Sequence, residues 1–189
     1  LRPDFEAEHA PMLTLVMGMA ACMAIEKITG LTAEIKWPND VVINKKKTTG
    51  ILTEMGMSEG KISYVVVGIG INLNMESFPE ELAYKATSLK IECGHEINRD
   101  EIAAALLFYF EQYYEKFEQT HNLGFLIEEY NNHLVNRGKE VLIKEKDGEY
   151  TGISRGINDK GELLVEKKDG NCVEIFSGEV SVRGLYGYV

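Results

Sequence analysis

The sequence has few cysteines, an excess of negative over positive charge and no low-complexity segment. Its three cysteines, Cys22, Cys93 and Cys172, are odd in number and far apart, so they offer neither a disulfide framework nor a CxxC metal or redox pair. Lysine and arginine number 20 against 30 aspartates and glutamates, and the net charge of −10 argues against a broad surface for phosphate backbones. These absences disfavour a disulfide-rich secreted protein and a non-specific nucleic-acid-binding protein.

Long hydrophobic runs are also absent. The most apolar stretch, residues 12–25, is shorter than the roughly twenty residues that a membrane-spanning helix needs. The opening Leu1-Arg2-Pro3 does not start a signal peptide, and because residue 1 is not Met we expect a piece of a longer polypeptide. The 44% hydrophobic and 26% charged fractions are typical of a globular core, so we expect a cytoplasmic protein that does not enter a membrane.

The first 134 residues mix helical and strand periods. Apolar residues at helical spacing predict a helix over 11–29, a second that Asp100 caps, and a short third over about 124–134. Strand-like runs lie at 33–37, 41–43, 50–57 and 62–69, the second and third forming a hairpin. Because the run over 62–69 is almost entirely β-branched, we expect it to be central in a sheet and buried on both faces.

From about Val135 the pattern changes to short strands with glycine turns. Five strands within about fifty residues predict a small barrel, over 140–144, 150–157, 163–166, 172–176 and 180–183. We therefore divide the chain into 1–134 and 135–189.

The string Lys36-Trp37-Pro38-Asn39-Asp40 follows a predicted strand. One interpretation is an Asx-type turn that Pro-Asn-Asp ends. The other is a ligand site, because the amide of Asn39 and the carboxylate of Asp40 lie where a sheet meets solvent.

The run Lys45-Lys46-Lys47 precedes Thr48-Thr49-Gly50. It is either a solvated hairpin turn or a segment in which Lys47 points inward as a fixed cation, with Gly50 allowing close backbone approach. Placement of Lys47 near Asp40 across the hairpin would favour the second interpretation.

The string Gly68-Ile69-Gly70-Ile71-Asn72 resembles half of a dinucleotide fingerprint, but Leu73 replaces the third glycine and no helical pattern begins there. Two glycines spaced by two remove side chains from one face of a strand, either for packing or for ligand clearance.

In this order and spacing, the string 36–40, the string Lys47-Thr48-Thr49-Gly50-Ile51-Leu52-Thr53-Glu54 and the string 68–72 resemble the later part of the catalytic domain of the bacterial biotin protein ligases. Ala86-Thr87-Ser88-Leu89 also fits, and the strands from 152 to 181 resemble that family's C-terminal domain. The resemblance implies an α+β fold. Over 1–134 it implies a mixed sheet flanked by helices, of the class II aminoacyl-tRNA synthetase-like type that biotin and lipoate ligases share, and over 135–189 an SH3-like barrel.

The resemblance implies ATP-dependent activation of biotin and its transfer to a lysine of a biotin-carrier domain, such as that of acetyl-CoA carboxylase. Lys47 matches the family's active-site lysine, and Gly50, Gly68 and Gly70 match the floor of the biotin site. The residues that match nucleotide contacts are Asn39, Asp40, Asn72 and Arg183. Asp40 also matches a residue suited to a Mg²⁺ shell.

The chain departs from the family in one respect. In the family a Gly- and Arg-rich loop precedes the Leu-Arg-Pro strand, whereas the five arginines of this chain form no such loop. We therefore expect the fragment alone to be weakly active or inactive. A homodimer is expected, and no nucleic acid bound through this segment, although some members carry an upstream DNA-binding domain.

Two other functions stay open. One is a non-catalytic, ligand-responsive dimerisation or regulatory module that uses the sheet edge near residues 55–61. The other is a lipoate-protein ligase, which shares the catalytic fold.

Overall fold

The computed structural model describes residues 1–145 and 148–176, and the backbone of 181–184. The helices of this described part are α1 (Met12–Thr29), α2 (Glu80–Ala83), α3 (Leu89–Cys93), α4 (Arg99–Thr120) and α5 (Ile127–His133). The strands are β1 (Glu34–Lys36), β2 (Asp40–Ile43), β3 (Lys46–Ser58), β4 (Lys61–Ile71), β5 (Glu140–Glu145), β6 (Gly148–Ile157), β7 (Leu163–Glu166), β8 (Cys172–Ile175) and β9 (Ser181–Gly184). The expected α+β fold is confirmed.

Helix α1 is the centre of the core. It ends where Gly30 adopts a left-handed φ of 70° and donates its N–H to the carbonyl of Glu26. The helix predicted over 11–29 is confirmed to within one residue, and the segment Ala7–Thr29 matches a membrane-spanning helix by length and composition. However, 67% of that apolar window is buried inside the protein, where α1 packs against α4 and the sheet, as a core helix does.

The first sheet has the strand order β1-β2-β3-β4, and every strand pair in it is antiparallel. The parallel component of the expected mixed sheet is confined to two isolated bridges, Ile35 with Leu134 and Lys47 with Ala86. The β2–β3 hairpin is confirmed, with Asn44 and Lys45 at positive φ in its turn.

The expectation that β4 is buried on both faces was wrong, because Val66 is 52% exposed. β4 stands last in the described strand order, and on its outer side both the N–H and the carbonyl of Val65 bond to the backbone of Leu1. A β-branched run predicts a strand but does not specify its neighbours. One face of the β3–β4 ladder, which includes Ile51 and Ile69, lies against the core, and the other, which includes Leu52, is open.

Helix α4 begins two residues earlier than expected, and Asp100 is not its cap. Its N-cap is Asn98, whose side-chain oxygen accepts the N–H of Asp100. Ile102, Leu106 and Phe117 form its buried stripe.

The five strands of the C-terminal part form a second antiparallel sheet in the order β8-β7-β6-β5-β9. Within the described residues no pairing between β8 and β9 closes it into the expected barrel. Val180, expected to start the last strand, lies outside the described residues, and β9 begins at Ser181.

The turn between β6 and β7 joins the second sheet to the first part of the chain. The indole N–H of Trp37 donates to the carbonyl of Gly161 at 3.0 Å, in a buried hydrogen bond. The carbonyl of Asp159 accepts the N–H of Leu123 at 2.6 Å. At the end of β6, the N–H of Ile157 donates to the side-chain oxygen of Asn131 in α5. The two parts therefore share polar contacts as well as apolar packing, while the division at 134/135 stays a prediction.

Candidate active site

The site begins with an ion pair across the β2–β3 hairpin. Asp40 is the first residue of β2, and its Oδ1 lies 2.5 Å from the Nζ of Lys47. The Asp40 side chain is 11% exposed and that of Lys47 is 39% exposed. A nearly buried carboxylate therefore holds an ammonium group that stays accessible to a ligand. This is the inward placement that the sequence left open, while Lys45 is exposed in the turn.

A β-bulge gives Lys47 its direction. Val41 pairs with Thr49 and Val42 pairs with Lys47, so Thr48 is an extra residue on β3. In a regular strand Lys47 would share a face with Thr49, because side chains alternate. The extra residue instead puts Lys47 on the face of Gly50. The sequence pattern gave no signal for this bulge.

Glycines line the face of the sheet on which Lys47 lies. Gly50 pairs with Gly70, and the neighbouring pair is Leu52 with Gly68. A Cβ on Gly50 would lie 3.1 Å from the Nζ of Lys47, so a larger residue there would push the end of the lysine away by a few tenths of an ångström. A Cβ on Gly70 would meet no atom within 4 Å, which leaves open space above the strand. The arrangement is a shallow surface with one cation at its end.

The side-chain amide nitrogens of the two asparagines in the predicted site both donate hydrogen bonds to backbone carbonyls. The Nδ2 of Asn39 donates to the carbonyl of Ile51 at 3.0 Å, which extends the pairing of β2 with β3. The Nδ2 of Asn72 donates to the carbonyl of Thr87 at 3.1 Å. Asn39 thus bonds to β3, the strand of Lys47, and Asn72 bonds to the segment around Ala86 that pairs with Lys47.

The segment around Ala86 belongs to the site, although sequence periodicity placed no element there. The N–H of Lys47 donates to the carbonyl of Lys85 at 2.8 Å, and the carbonyl of Lys47 accepts the N–H of Thr87 at 2.9 Å. Ser88 then caps α3 by accepting the N–H of Ile91. A serine before an apolar residue is a helix-start signal, and it could have located this turn.

Arg183 is the remaining predicted site residue. Its backbone pairs with Leu142 in β5, and its side chain lies outside the described residues. Its nucleotide contact stays a prediction.

A cavity of about 560 Å³ lies between β4 and α4. Its apolar lining includes Ile69, Ile71, Ile102 and Leu106, and its polar lining includes Asn72. Gly50 and Lys47 do not line it, so it adjoins the predicted site only through Asn72.

Comparison with known proteins shows to which family the chain belongs. Residues 1–72 match the model of the biotin/lipoate A/B protein ligase family, and residues 138–183 match that of the biotin protein ligase C-terminal domain. A point mutant of the biotin protein ligase from Aquifex aeolicus, solved in complex with biotin, superposes with a TM-score of 0.84 at 34% identity, over 97% of this chain and 75% of that one. The chain belongs to the biotin protein ligase family.

Two further relatives show how much of a related protein's length this chain spans. The bifunctional ligase/repressor BirA of Bacillus spizizenii is 37% identical over 96% of this chain and 56% of its own length. The biotin–[acetyl-CoA-carboxylase] ligase of Paracoccus denitrificans is 30% identical over 94% of this chain and 78% of its own length. This biotin protein ligase chain thus spans about half the length of the first relative.

Proposed function

We propose that the protein carrying this chain joins biotin to a lysine of a biotin-carrier domain, such as that of a biotin-dependent carboxylase. In the first step a carboxylate oxygen of biotin bonds to the α-phosphorus of ATP, and the bond to the β-phosphate oxygen breaks to release pyrophosphate. In the second, the carrier lysine amine bonds to the acyl carbon, loses a proton and displaces AMP. The observation that carries this proposal is the Lys47 ammonium held over Gly50.

Lys47 would act by charge. Its Nζ is fixed by Asp40 before any ligand arrives, so it can pair with the biotin carboxylate and with the negative charge that develops on phosphate oxygens. The open floor of Gly50, Gly68 and Gly70 would receive the biotin rings without side-chain obstruction. The side chain that binds the reacting carboxylate thus lies at the end of this floor.

The nucleotide would lie at the same end. Asn39, Asp40, Asn72 and Arg183 are its proposed contacts. The described residues contain no group of three or more His, Cys, Asp or Glu side chains arranged for a metal. Asp40 alone does not make a resident Mg²⁺ site, because one of its oxygens already binds Lys47. The ion would instead arrive with ATP as part of the Mg–ATP substrate, and Asp40 would meet it there.

The deciding experiment is Lys47→Ala, measured as biotin-dependent pyrophosphate exchange in the longer protein. We expect a loss of about a hundredfold or more, the effect of removing one preorganised charge donor at a reacting centre. The matched control is Lys46→Ala, because the Lys46 Nζ donates to the exposed carbonyl of Ala83 rather than to the site. Normal rates for the Lys47 variant would contradict the proposal.

The 189-residue chain itself should exchange pyrophosphate slowly or not at all. It spans 56% of the bifunctional ligase/repressor BirA of Bacillus spizizenii. Exchange at the rate of the longer protein would show that the described site suffices. Calorimetry with biotin and with lipoate separates the two acyl substrates, and binding of lipoate alone would reassign the protein as a lipoate ligase.

Dimerisation is the second proposal, and exposed apolar residues at the β3–β4 hairpin favour it. Met55, Met57 and Tyr64 are 43%, 49% and 49% exposed there. Sedimentation of the longer protein with and without biotin and ATP tests it. A mass that stays at one chain under all conditions would exclude both the homodimer and the regulatory-module alternative.

A further inference from the structure

The bulge residue Thr48 is itself fully buried. Its hydroxyl donates to the carbonyl of Val41 on the facing strand at 3.1 Å. An extra residue in a ladder disrupts the regular backbone pairing, and buried backbone groups must find partners elsewhere. The Thr48 hydroxyl thus adds a side-chain hydrogen bond across the bulge to the facing strand.

The backbone on both sides of Thr48 changes partners at this point. The carbonyl of Thr48 accepts the N–H of Asn72 at 2.7 Å, which continues the β3–β4 ladder. One residue earlier, Lys47 bonds through its own N–H and carbonyl to the segment around Ala86. Thr48 is therefore the junction between the regular sheet and the segment that presents the lysine.

We propose that Thr48 is a positioning residue for Lys47. Its hydroxyl fixes the bulge, and the bulge keeps the Lys47 ammonium on the face of Gly50; the consequence for catalysis rests on the role of Lys47 proposed above. If the hydroxyl were lost, the Val41 carbonyl would lose this buried hydrogen bond across the bulge, and β3 would be free to shift there. Lys47 would then turn away from Gly50 and Asp40.

The neighbouring Thr49 provides a matched control. Thr49 is 1% exposed, and its hydroxyl has no hydrogen-bond partner among the described residues. Thr48→Val and Thr49→Val make the same isosteric change one residue apart. Only the first removes the bond across the bulge. Thr48→Ser keeps the hydroxyl and Thr48→Ala removes it, so this pair separates the hydroxyl from the methyl group.

The first readout is geometric and uses the 189-residue chain. The Cε of Lys47 lies 3.2 Å from the position that a Cβ on Gly50 would occupy, close enough for a nuclear Overhauser effect between the lysine ε-protons and the Gly50 α-protons. We expect this effect in the parent, Thr49→Val and Thr48→Ser chains, and its loss in Thr48→Val and Thr48→Ala. Its persistence in a folded Thr48→Val chain would overturn the inference. If Thr48→Val does not fold, a nuclear Overhauser effect of equal size in Thr48→Ser and Thr48→Ala would overturn the inference.

The second readout is pyrophosphate exchange by the longer protein. Misplacement of a reacting group by about 1 Å costs up to about a hundredfold, so we expect kcat of Thr48→Val to fall about tenfold to a hundredfold. KM for ATP should change little, and Thr48→Ser should restore kcat. A normal kcat with the Overhauser effect lost would overturn the catalytic part of the inference. If the parent protein does not activate biotin at all, the proposed function fails, while the Overhauser result still decides the position of Lys47.

Discussion

Gly161 is the residue at which contact between the two sheets can be tested by one substitution. It lies in the β6–β7 turn at a φ of +78°, and its carbonyl accepts the Trp37 indole N–H. In Gly161→Ala, the new Cβ would lie 2.9 Å from Cδ2 of Leu15 and 3.0 Å from Cδ1 of Leu123. Both leucines are buried, at 2% and 0% exposure, so neither has space to move away freely.

Two costs add in Gly161→Ala. A Cβ in the left-handed region costs about 1–2 kcal/mol, and overpacking a well-filled contact costs about 1–3 kcal/mol more. Gly170→Ala isolates the first cost, because Gly170 has a φ of +83° in the next turn and a Cβ there would meet nothing within 4 Å. The entropy that alanine removes from the unfolded chain is the same at both positions and cancels. The expected difference between the two variants is therefore about 1–3 kcal/mol.

Urea unfolding followed by far-ultraviolet circular dichroism measures this difference as the free energy of unfolding of each variant. Gly161→Ala should be less stable than Gly170→Ala, with an unchanged dependence on urea. Equal stabilities, to within about 0.5 kcal/mol, would refute the reasoning, because surface substitutions alone scatter by that amount. They would mean that the turn does not press against α1 as the structure places it.

The thiols and a tyrosine give further tests. Burial, followed by the charges of Glu26 and Glu34, raises the pKa of Cys22 well above its usual value. A thiol reagent should therefore modify exposed Cys172 at once in the native chain and Cys22 only after unfolding. Rapid modification that persists in Cys172→Ser and reaches Cys22 would contradict this. Burial and a hydrogen bond to Glu145 raise the pKa of Tyr150 to about 12. The neutral form is favoured in the fold, so stability should be fully present below about pH 10 and fall toward pH 12, and by less in Tyr150→Phe, as urea unfolding would show. An equal fall in both chains would exclude Tyr150 as a source.

The sequence was most informative where a pattern is local. Helix α1, helix α4 and the β2–β3 hairpin follow from spacing and turn residues within each element. The position of Lys47 near Asp40 was one of two open interpretations. Each interpretation holds for a different lysine of the run: Lys45 lies in solvent and Lys47 points inward. Which lysine points inward depends on the bulge.

Features that depend on distant partners could not be predicted. The bulge at Thr48 is defined by which residues of β2 face it, and the contact of Lys47 with Lys85 and Thr87 joins segments with no shared period. The hydrogen bond from Trp37 to Gly161 spans 124 residues of sequence. The exposure of one face of β4 likewise depends on what packs against that face and not on the composition of the strand.

The same hydrogen bond gives the chain a built-in optical probe. Trp37 is the single tryptophan of the sequence, it is 3% exposed, and it lies two residues before Asn39. Its emission therefore comes from one indole that contacts the β6–β7 turn and is adjacent in sequence to the proposed nucleotide site. Undocking of the turn would expose the ring to water and shift the emission to longer wavelength. Ligand binding and contact between the two sheets can thus be followed in one unlabelled sample, without introducing a dye.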